Sequence, residues 1–493
     1  MVNRRGSQMR RGMTFDDVLL IPRRSAVLPN QVDVRTQLTS HIYLKIPIIS
    51  AAMDTVTEAK MAIAMAVEGG VGVIHRYLNP EQQAEEVRKV KRFESGVIKD
   101  PFTLSADEPV WKALQLMRDK GISGVPIVSA EGRLEGLLTR RDLQFQTELD
   151  VAIAKVMTPR EKLITAPANV DLEEAKKILY QHRIEKLPLV DKNFKLQGLI
   201  TIKDIRRASE HPNACKDKRG RLVVGAAIGT ALDLKREELL LEAEVDFLVV
   251  DTAHGHSEPV LEKIRILKKE FPKVDIIAGN VATSDGATDL VDVGADGVKV
   301  GIGPGAICTT RVVAGIGVPQ LTAILDCAEA LHDSGIPIIA DGGMRTSGDI
   351  VKALAAGASS VMLGSLLAST EEAPGELYTL RGETYKTYRG MGSVTAMKEA
   401  RDKERRYFWD EVKEPIAEGI EGRVKYRGKL DGVLHQLIGG LEHGMGYLGA
   451  PDLKSLREQS EFIEITAASV IESHPHDIQI TREAPNYHFE DGI

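Results

Sequence analysis

IPIIADGGMRTSGDIVKALAAGASSVMLGS (336–365) holds two short apolar runs, IPIIA and SVMLG, separated by a polar glycine-bearing loop and a stretch with apolar residues at helical spacing. Apolar runs of this length without polar alternation are strands buried on both faces, which belong in a parallel sheet covered by helices. The unit recurs along the chain. IPIIS (46–50), VGVIH (71–75), VVGAAI (223–228), FLVVD (247–251), DIIAG (275–279) and GVKVG (297–301) bring the strands to eight. The stretches 57–68, 80–92, 232–243, 257–269, 284–292, 320–334 and 347–356 carry Ala, Leu, Glu and Lys at helical spacing, so strand and helix alternate. Eight such units predict an α/β fold, a (β/α)8 TIM barrel. A doubly wound open sheet is the competing arrangement, but no GxGxxG follows the first strand.

The alternation breaks once, between the second helix and the third strand, and the interruption contains a repeat. GISGVPIVSAEGRLEGLLTRRDL (121–143) and HRIEKLPLVDKNFKLQGLITIKDI (182–205) share P-hydrophobic-V, a turn, then G-L-[LI]-T-x-x-D. The pair resembles the cystathionine-β-synthase-type repeats of a Bateman module. The resemblance implies an α+β tandem CBS regulatory domain at 94–212, set into a catalytic barrel made of 1–93 and 213–493, the latter with a flap and a C-terminal segment. It also implies that Thr139, Asp142, Thr201 and Asp204 hold the ribose and phosphates of adenine or guanine nucleotides. The competing reading is a structural appendage.

At 43% hydrophobic and 27% charged residues the composition is that of an ordinary globular protein. Three cysteines without regular spacing argue against a disulfide framework and for a reducing, cytoplasmic setting. No apolar run reaches the roughly 18 residues of a membrane span, and MVNRRGSQMRRGM lacks the apolar stretch of a signal peptide, so no membrane association is expected. A net charge of −7 gives no footprint for nucleic acid.

In a barrel of this type chemistry collects in the loops after the strands. Six of these are polar and rich in glycine: SAAMD (50–54), DTAHGHS (251–257), GNVAT (279–283), GIGPGAICTT (301–310), DGGMR (341–345) and GS (364–365). Cys308 sits among glycines, hydroxyls and the cation Arg311, an environment that favours a thiolate nucleophile. Cys215 and Cys327 lack that setting and read as small buried hydrophobes. Gly342, Gly343, Gly364 and Ser365 stand where such barrels cradle phosphate, after strands seven and eight, and Asp341 can accept from a ribose diol.

With YRGMGS (388–393), RRYF (405–408) and EGIEGR (418–423) added to these loops, the chain resembles the bacterial-type IMP dehydrogenases over nearly its whole length. That family oxidises inosine monophosphate (IMP) to xanthosine monophosphate (XMP) with NAD, on the way to guanine nucleotides. The resemblance implies that Cys308 attacks purine C2 and that Arg406 and Tyr407 of a flap, with Thr310 in support, activate the hydrolytic water. It assigns phosphate to Ala306, Gly343, Gly364, Ser365 and Tyr388, ribose to Asp341, and the base to Met391, Gly392 and Glu418, with Gly390 also among the substrate-binding residues. Asp251, Asn280, Gly301 and Gly303 would face the dinucleotide. A potassium ion would take the carbonyls of Gly303, Gly305 and Cys308 together with Glu472, Ser473 and His474 of a neighbouring subunit, which implies a homotetramer; the sequence does not separate tetramer from octamer.

Three positions depart from the family pattern. Ala306 replaces a serine that contacts phosphate, TAMKEARDKERRYFWDE (395–411) is more helix-prone than the usual flap, and Leu448 replaces a frequent cysteine. GMP reductase, which shares barrel, thiol and nucleotide site but uses NADPH to remove ammonia, is the nearest alternative; Arg406, Tyr407 and the inserted repeats argue for the dehydrogenase. A catalytically impaired nucleotide-sensing protein is a further alternative, to which Ala306 gives room.

Overall fold

Strands apolar on both sides must be covered on both sides, and the chain does this by closing its sheet. The computed structural model describes residues 9–93, 98, 101–202, 211–399, 416–482 and 484–487. Eight parallel strands form a closed barrel: β1 (Ile48–Ser50), β2 (Val71–Ile74), β3 (Val224–Ile228), β4 (Phe247–Asp251), β5 (Asp275–Val281), β6 (Gly297–Val300), β7 (Ile338–Asp341) and β8 (Ser360–Leu363). Each lies where its apolar run predicts, within two residues at either end.

Alternation divides the strand residues between two cores. Ile49, Val71, Val73, Phe247, Val249, Ile277, Ile339 and Met362 fill the barrel interior. Ile48, Ile74, Leu248, Val250, Ile276, Val298, Val300 and Ile338 face the helices. This parity fixes what the strand ends present to the cleft: Asp251, Lys299 and Asp341 occupy inward positions.

The covering helices are α1 (Ala59–Val67), α2 (Pro80–Phe93), α3 (Lys235–Glu242), α4 (Glu258–Glu270), α5 (Ser284–Asp292), α6 (Gln320–Ala330) and α7 (Ser347–Ala355). The sequence pattern predicts these seven and misses the eighth. That one is α8 (Leu430–Leu448), which packs against α7 and α1 and so completes the ring. Between β8 and α8 the chain forms a three-stranded sheet of Leu377–Leu380, Glu383–Arg389 and Glu421–Lys425. Among the described residues no helix is long and apolar enough to cross a membrane.

The chain divides into two compact units, the second being Arg92–Pro212 with Lys218–Arg221. That unit is two copies of one motif, a helix followed by a hairpin: Val110–Asp119, Gly124–Val128 and Leu134–Thr139, then Leu172–His182, Lys186–Val190 and Leu196–Thr201. The copies match in register. Gly124 pairs with Thr139 and Lys186 with Thr201, and each hairpin carries its irregularity one residue before its end, at Ile127/Val128 and Leu189/Val190. Leu134 N–H donates to the Phe194 carbonyl and Leu196 N–H to that of Gly132, so the two hairpin turns join each other. Each copy keeps its own apolar core, one around Val125, Ile127 and Leu138 and the other around Leu187, Leu189 and Ile200.

Candidate active site

The three inward charges at the ends of β4, β6 and β7 meet at the cleft floor. Lys299 Nζ donates to Asp251 Oδ1 at 3.0 Å, to Asp341 Oδ2 at 2.7 Å and to Asn280 Oδ1. Asn280 Nδ2 donates to Asp341 Oδ2 at 2.9 Å and to the Gly301 carbonyl at 2.7 Å. Lys299, only 1% exposed, is the buried cation that pairs with both carboxylates. Sequence reasoning singles out Asp251, Asn280 and Asp341 and misses Lys299. The signal was present, a lone cation inside the apolar run GVKVG.

Beyond β6 the chain enters the Cys308 loop. Glycine is required at its start, since a Cβ on Gly301 would stand 2.2 Å from the Asp341 carbonyl oxygen. The half-buried Cys308 thiol donates to Thr310 Oγ1 at 3.2 Å, and the Thr310 hydroxyl donates to Glu418 Oε2 at 2.8 Å. Two backbone bonds fasten the partner segment to the loop, Thr309 N–H to the Glu418 carbonyl and Ile420 N–H to that of Ile307, each at 3.0 Å. A thiol and a carboxylate 110 residues apart therefore share one hydroxyl. Arg311 serves the loop rather than the sulfur directly: its Nε donates to the Ile302 carbonyl at 3.3 Å and its Nη2 to that of Val318 at 2.5 Å. Partial burial lowers its pKa, and Cys308 opposes that shift through space.

The segment Tyr388 to Gly392 forms the opposite wall. Gly390 N–H donates to the Ile420 carbonyl at 2.9 Å and Glu418 N–H to that of Gly392 at 3.1 Å. Arg389 grips Asp54 Oδ2 through Nε at 2.9 Å and Nη2 at 2.6 Å, tying this wall to the loop after β1. The loop after β2 contributes as well, because the Tyr77 hydroxyl donates to the Met391 carbonyl at 2.5 Å. Sequence reasoning passes over Tyr77, since HRYLN lacks the glycines that mark the other loops.

At the remaining end Gly342 and Gly343 take φ of 90° and 84°, left-handed backbone that favours glycine. A Cβ on Gly364 would lie 2.7 Å from the Tyr388 hydroxyl. Burial, reinforced by Asp341, raises the Tyr388 pKa, so the phenol stays neutral and able to donate.

One cleft gathers Cys308 and Thr310 with Ala306, Asp341, Gly343, Gly364, Ser365, Tyr388, Gly390, Met391, Gly392 and Glu418. Asp251, Asn280, Gly301, Gly303 and Gly305 line it too. Arg406 and Tyr407 lie outside the described residues. Glu472, Ser473 and His474 sit at the C-terminal end of the helix Ala467–Glu472, where Ser473 Oγ donates to the Ser469 carbonyl at 2.7 Å. Among the described residues no hydrogen bond or ion pair joins these three to the Cys308 loop.

In the repeat unit Thr139 caps a short helix, its N–H and its hydroxyl both donating to Asp142 Oδ2 at 2.7 Å. They line a second cleft with Thr158 and with Arg140, Lys162 and Lys186, whose basic side chains suit an anion. Thr201 ends the second hairpin, and Asp204 lies outside the described residues.

Comparison with known proteins finds both clefts within a single family. The model for the IMP dehydrogenase / GMP reductase domain matches residues 12–476. The chain is 58% identical over 483 residues to the inosine-5'-monophosphate dehydrogenase of Aquifex aeolicus and 56% identical over 480 residues to that of Bacillus subtilis. Each alignment covers 97% of this chain and 98% of the relative. A GMP reductase of Trypanosoma brucei, solved in complex with guanosine 5'-monophosphate, superposes with a TM-score of 0.89 at 39% identity, covering 97% of this chain and 100% of that one. That last match corrects one expectation, for a reductase that spans nearly this whole chain removes the inserted repeats as an argument against reductase chemistry. With matches running from the first barrel strands through the repeats to the C-terminal segment, the chain belongs to the IMP dehydrogenase / GMP reductase family.

Proposed function

We propose that the protein is an IMP dehydrogenase, converting IMP, NAD and water to XMP, NADH and a proton. The observation that carries this is the Cys308–Thr310–Glu418 chain lining the cleft, in a sequence 56–58% identical to proteins of that name. A purine C2–H cannot leave as hydride until a nucleophile adds to the carbon. Cys308 sulfur bonds to C2, making it tetrahedral, and the C–H electron pair can then depart with hydrogen. NAD, when bound, supplies the hydride acceptor. The resulting thioimidate holds the purine on Cys308; water adds at C2, the C–S bond breaks, and XMP leaves. Thr310 offers a path for the thiol proton to Glu418, and Arg406 and Tyr407 are assigned to the water.

The remaining contacts follow the cleft. Gly343, Gly364, Ser365 and Tyr388 take the phosphate, with Ala306 beside it; Asp341 takes the ribose, and Met391 and Gly392 the base. Asp251 and Asn280, an acceptor and an amide held rigid by Lys299, fit the donors of a carboxamide and a ribose diol. The carbonyls of Gly303, Gly305 and Cys308 are hard neutral donors suited to potassium, and that of Gly305 keeps a lone pair beyond its 3.0 Å bond from Cys308 N–H. Completion by Glu472, Ser473 and His474 requires a second copy, which supports a homotetramer or larger assembly. The repeats, with Thr139 and Asp142 in a basic cleft, are assigned to adenine or guanine nucleotides as a CBS regulatory domain, and the free cysteines support a cytoplasmic setting.

GMP reductase is retained as a second reading because of the Trypanosoma brucei structure. Quenching the protein during turnover with IMP and NAD and weighing its peptides tests the first. A purine nucleotide on the Cys308 peptide supports it, and an adduct formed only from GMP with NADPH replaces it with the second.

A further inference from the structure

Three consecutive carbonyls at the base-facing turn are already engaged. That of Gly390 accepts from Ser393 N–H at 2.9 Å, that of Met391 from the Tyr77 hydroxyl at 2.5 Å, and that of Gly392 from Glu418 N–H at 3.1 Å. These peptides are trans, the cis bond among the described residues being Gly279–Asn280. In a trans peptide the N–H points opposite to the carbonyl it shares a plane with. Met391 N–H therefore points away from Ser393, and Gly392 N–H away from Tyr77. Neither has a hydrogen-bond partner among the described residues, and both residues line the cleft. The turn therefore carries two N–H groups with no partner among the described residues, beside carbonyls that are each already bonded.

Tyr77 is the one side chain among these three anchors. It is 8% exposed, it packs with Met53, Met391 and Ala396, and its own N–H donates to His75 Nδ1 at 3.2 Å, so the hydroxyl has a fixed place. Without that hydroxyl the Met391 carbonyl would be a buried acceptor lacking a partner, and rotation of the peptide would relieve it by turning an acceptor toward the ligand. The geometry points to Tyr77 as a positioning residue for base recognition, whose hydroxyl holds the Met391–Gly392 peptide with its N–H toward the ligand so that the site takes a purine bearing an oxygen at C6 in preference to one bearing an amino group. This rests on the reading of Met391 and Gly392 as base contacts.

The test crosses one protein change with one ligand change. Binding of IMP, of its analogue with hydrogen at C6, and of AMP is measured by calorimetry on the full-length parent and on Tyr77→Phe. Tyr77→Phe should weaken IMP about three- to tenfold, the size of one hydrogen bond, and the other two ligands less than about twofold. In turnover KM for IMP should rise while kcat stays near the parent value. Equal loss for all three ligands, or none for IMP, overturns the assignment. Should the variant not fold, the parent decides: binding the C6–H analogue as tightly as IMP overturns it, and a preference of tenfold or more for IMP supports it. A parent that binds none of the three ligands overturns the proposed function and this inference with it, whereas a parent that binds all three alike overturns the inference alone.

Discussion

Lys299 and Asp341, 42 residues apart in the chain, form a 2.7 Å contact between ammonium and carboxylate on the inner wall of the barrel, with Asp251 on the lysine's other side. Removing one member of a buried ionic group leaves the others uncompensated, which costs about 3–5 kcal/mol. Lys299→Met, which keeps volume and loses charge, should lower stability by about that amount in chemical denaturation and weaken nucleotide binding, because Asp341 and Asn280 then lose the ammonium that holds them in place. A denaturation midpoint equal to the parent's would contradict the role given to Lys299.

Burial pushes the Cys215 and Cys327 thiols up from an ordinary 9.0 to about 12, whereas Cys308 opens onto the cleft. Iodoacetamide at pH 8 should label Cys308 first, and IMP should protect it. The two buried thiols also make stability depend on pH. The folded chain keeps protons that the unfolded chain releases above pH 9, so stability declines as pH rises from 9 toward 12. Replacing both cysteines with alanine should flatten that decline, as read from urea midpoints at pH 8 and pH 10.

Ala306, at the position where the family resemblance implies a serine, is exposed and lines the cleft. If the loop is otherwise built for a phosphate contact, Ala306→Ser should tighten IMP binding by up to about tenfold, one net hydrogen bond. Unchanged or weaker calorimetric affinity would show a loop adapted to alanine.

What the chain discloses before folding follows from which forces act locally. The barrel strands are legible because burial on both faces writes an unbroken apolar run, as in FLVVD. The eighth helix is hidden because a three-stranded excursion separates it from β8, and its partners α7 and α1 are distant in sequence. Cys308, Asp341 and the glycines around them stand out because close approach to a ligand demands those residue types. Lys299 and Tyr77 do not, since their roles arise from contacts with residues 42 and 314 positions away.

Arg406 is assigned to the water that releases the product, a step that follows hydride loss. Arg406→Ala should therefore keep a burst of NADH equal to the active sites while steady turnover slows by about 10² to 10⁴. The Cys308 adduct should accumulate during that slow phase. Normal turnover, or loss of the burst along with the steady state, would remove Arg406 from the hydrolytic step.

Oxidation of IMP is the activity proposed for this cleft. Absorbance at 340 nm, followed after IMP is added to the protein with NAD and potassium, should rise, and rise in proportion to enzyme, with no oxidation of NADPH when GMP is the substrate. NADPH consumption with GMP and no NADH from IMP would contradict the account and leave the reductase in its place.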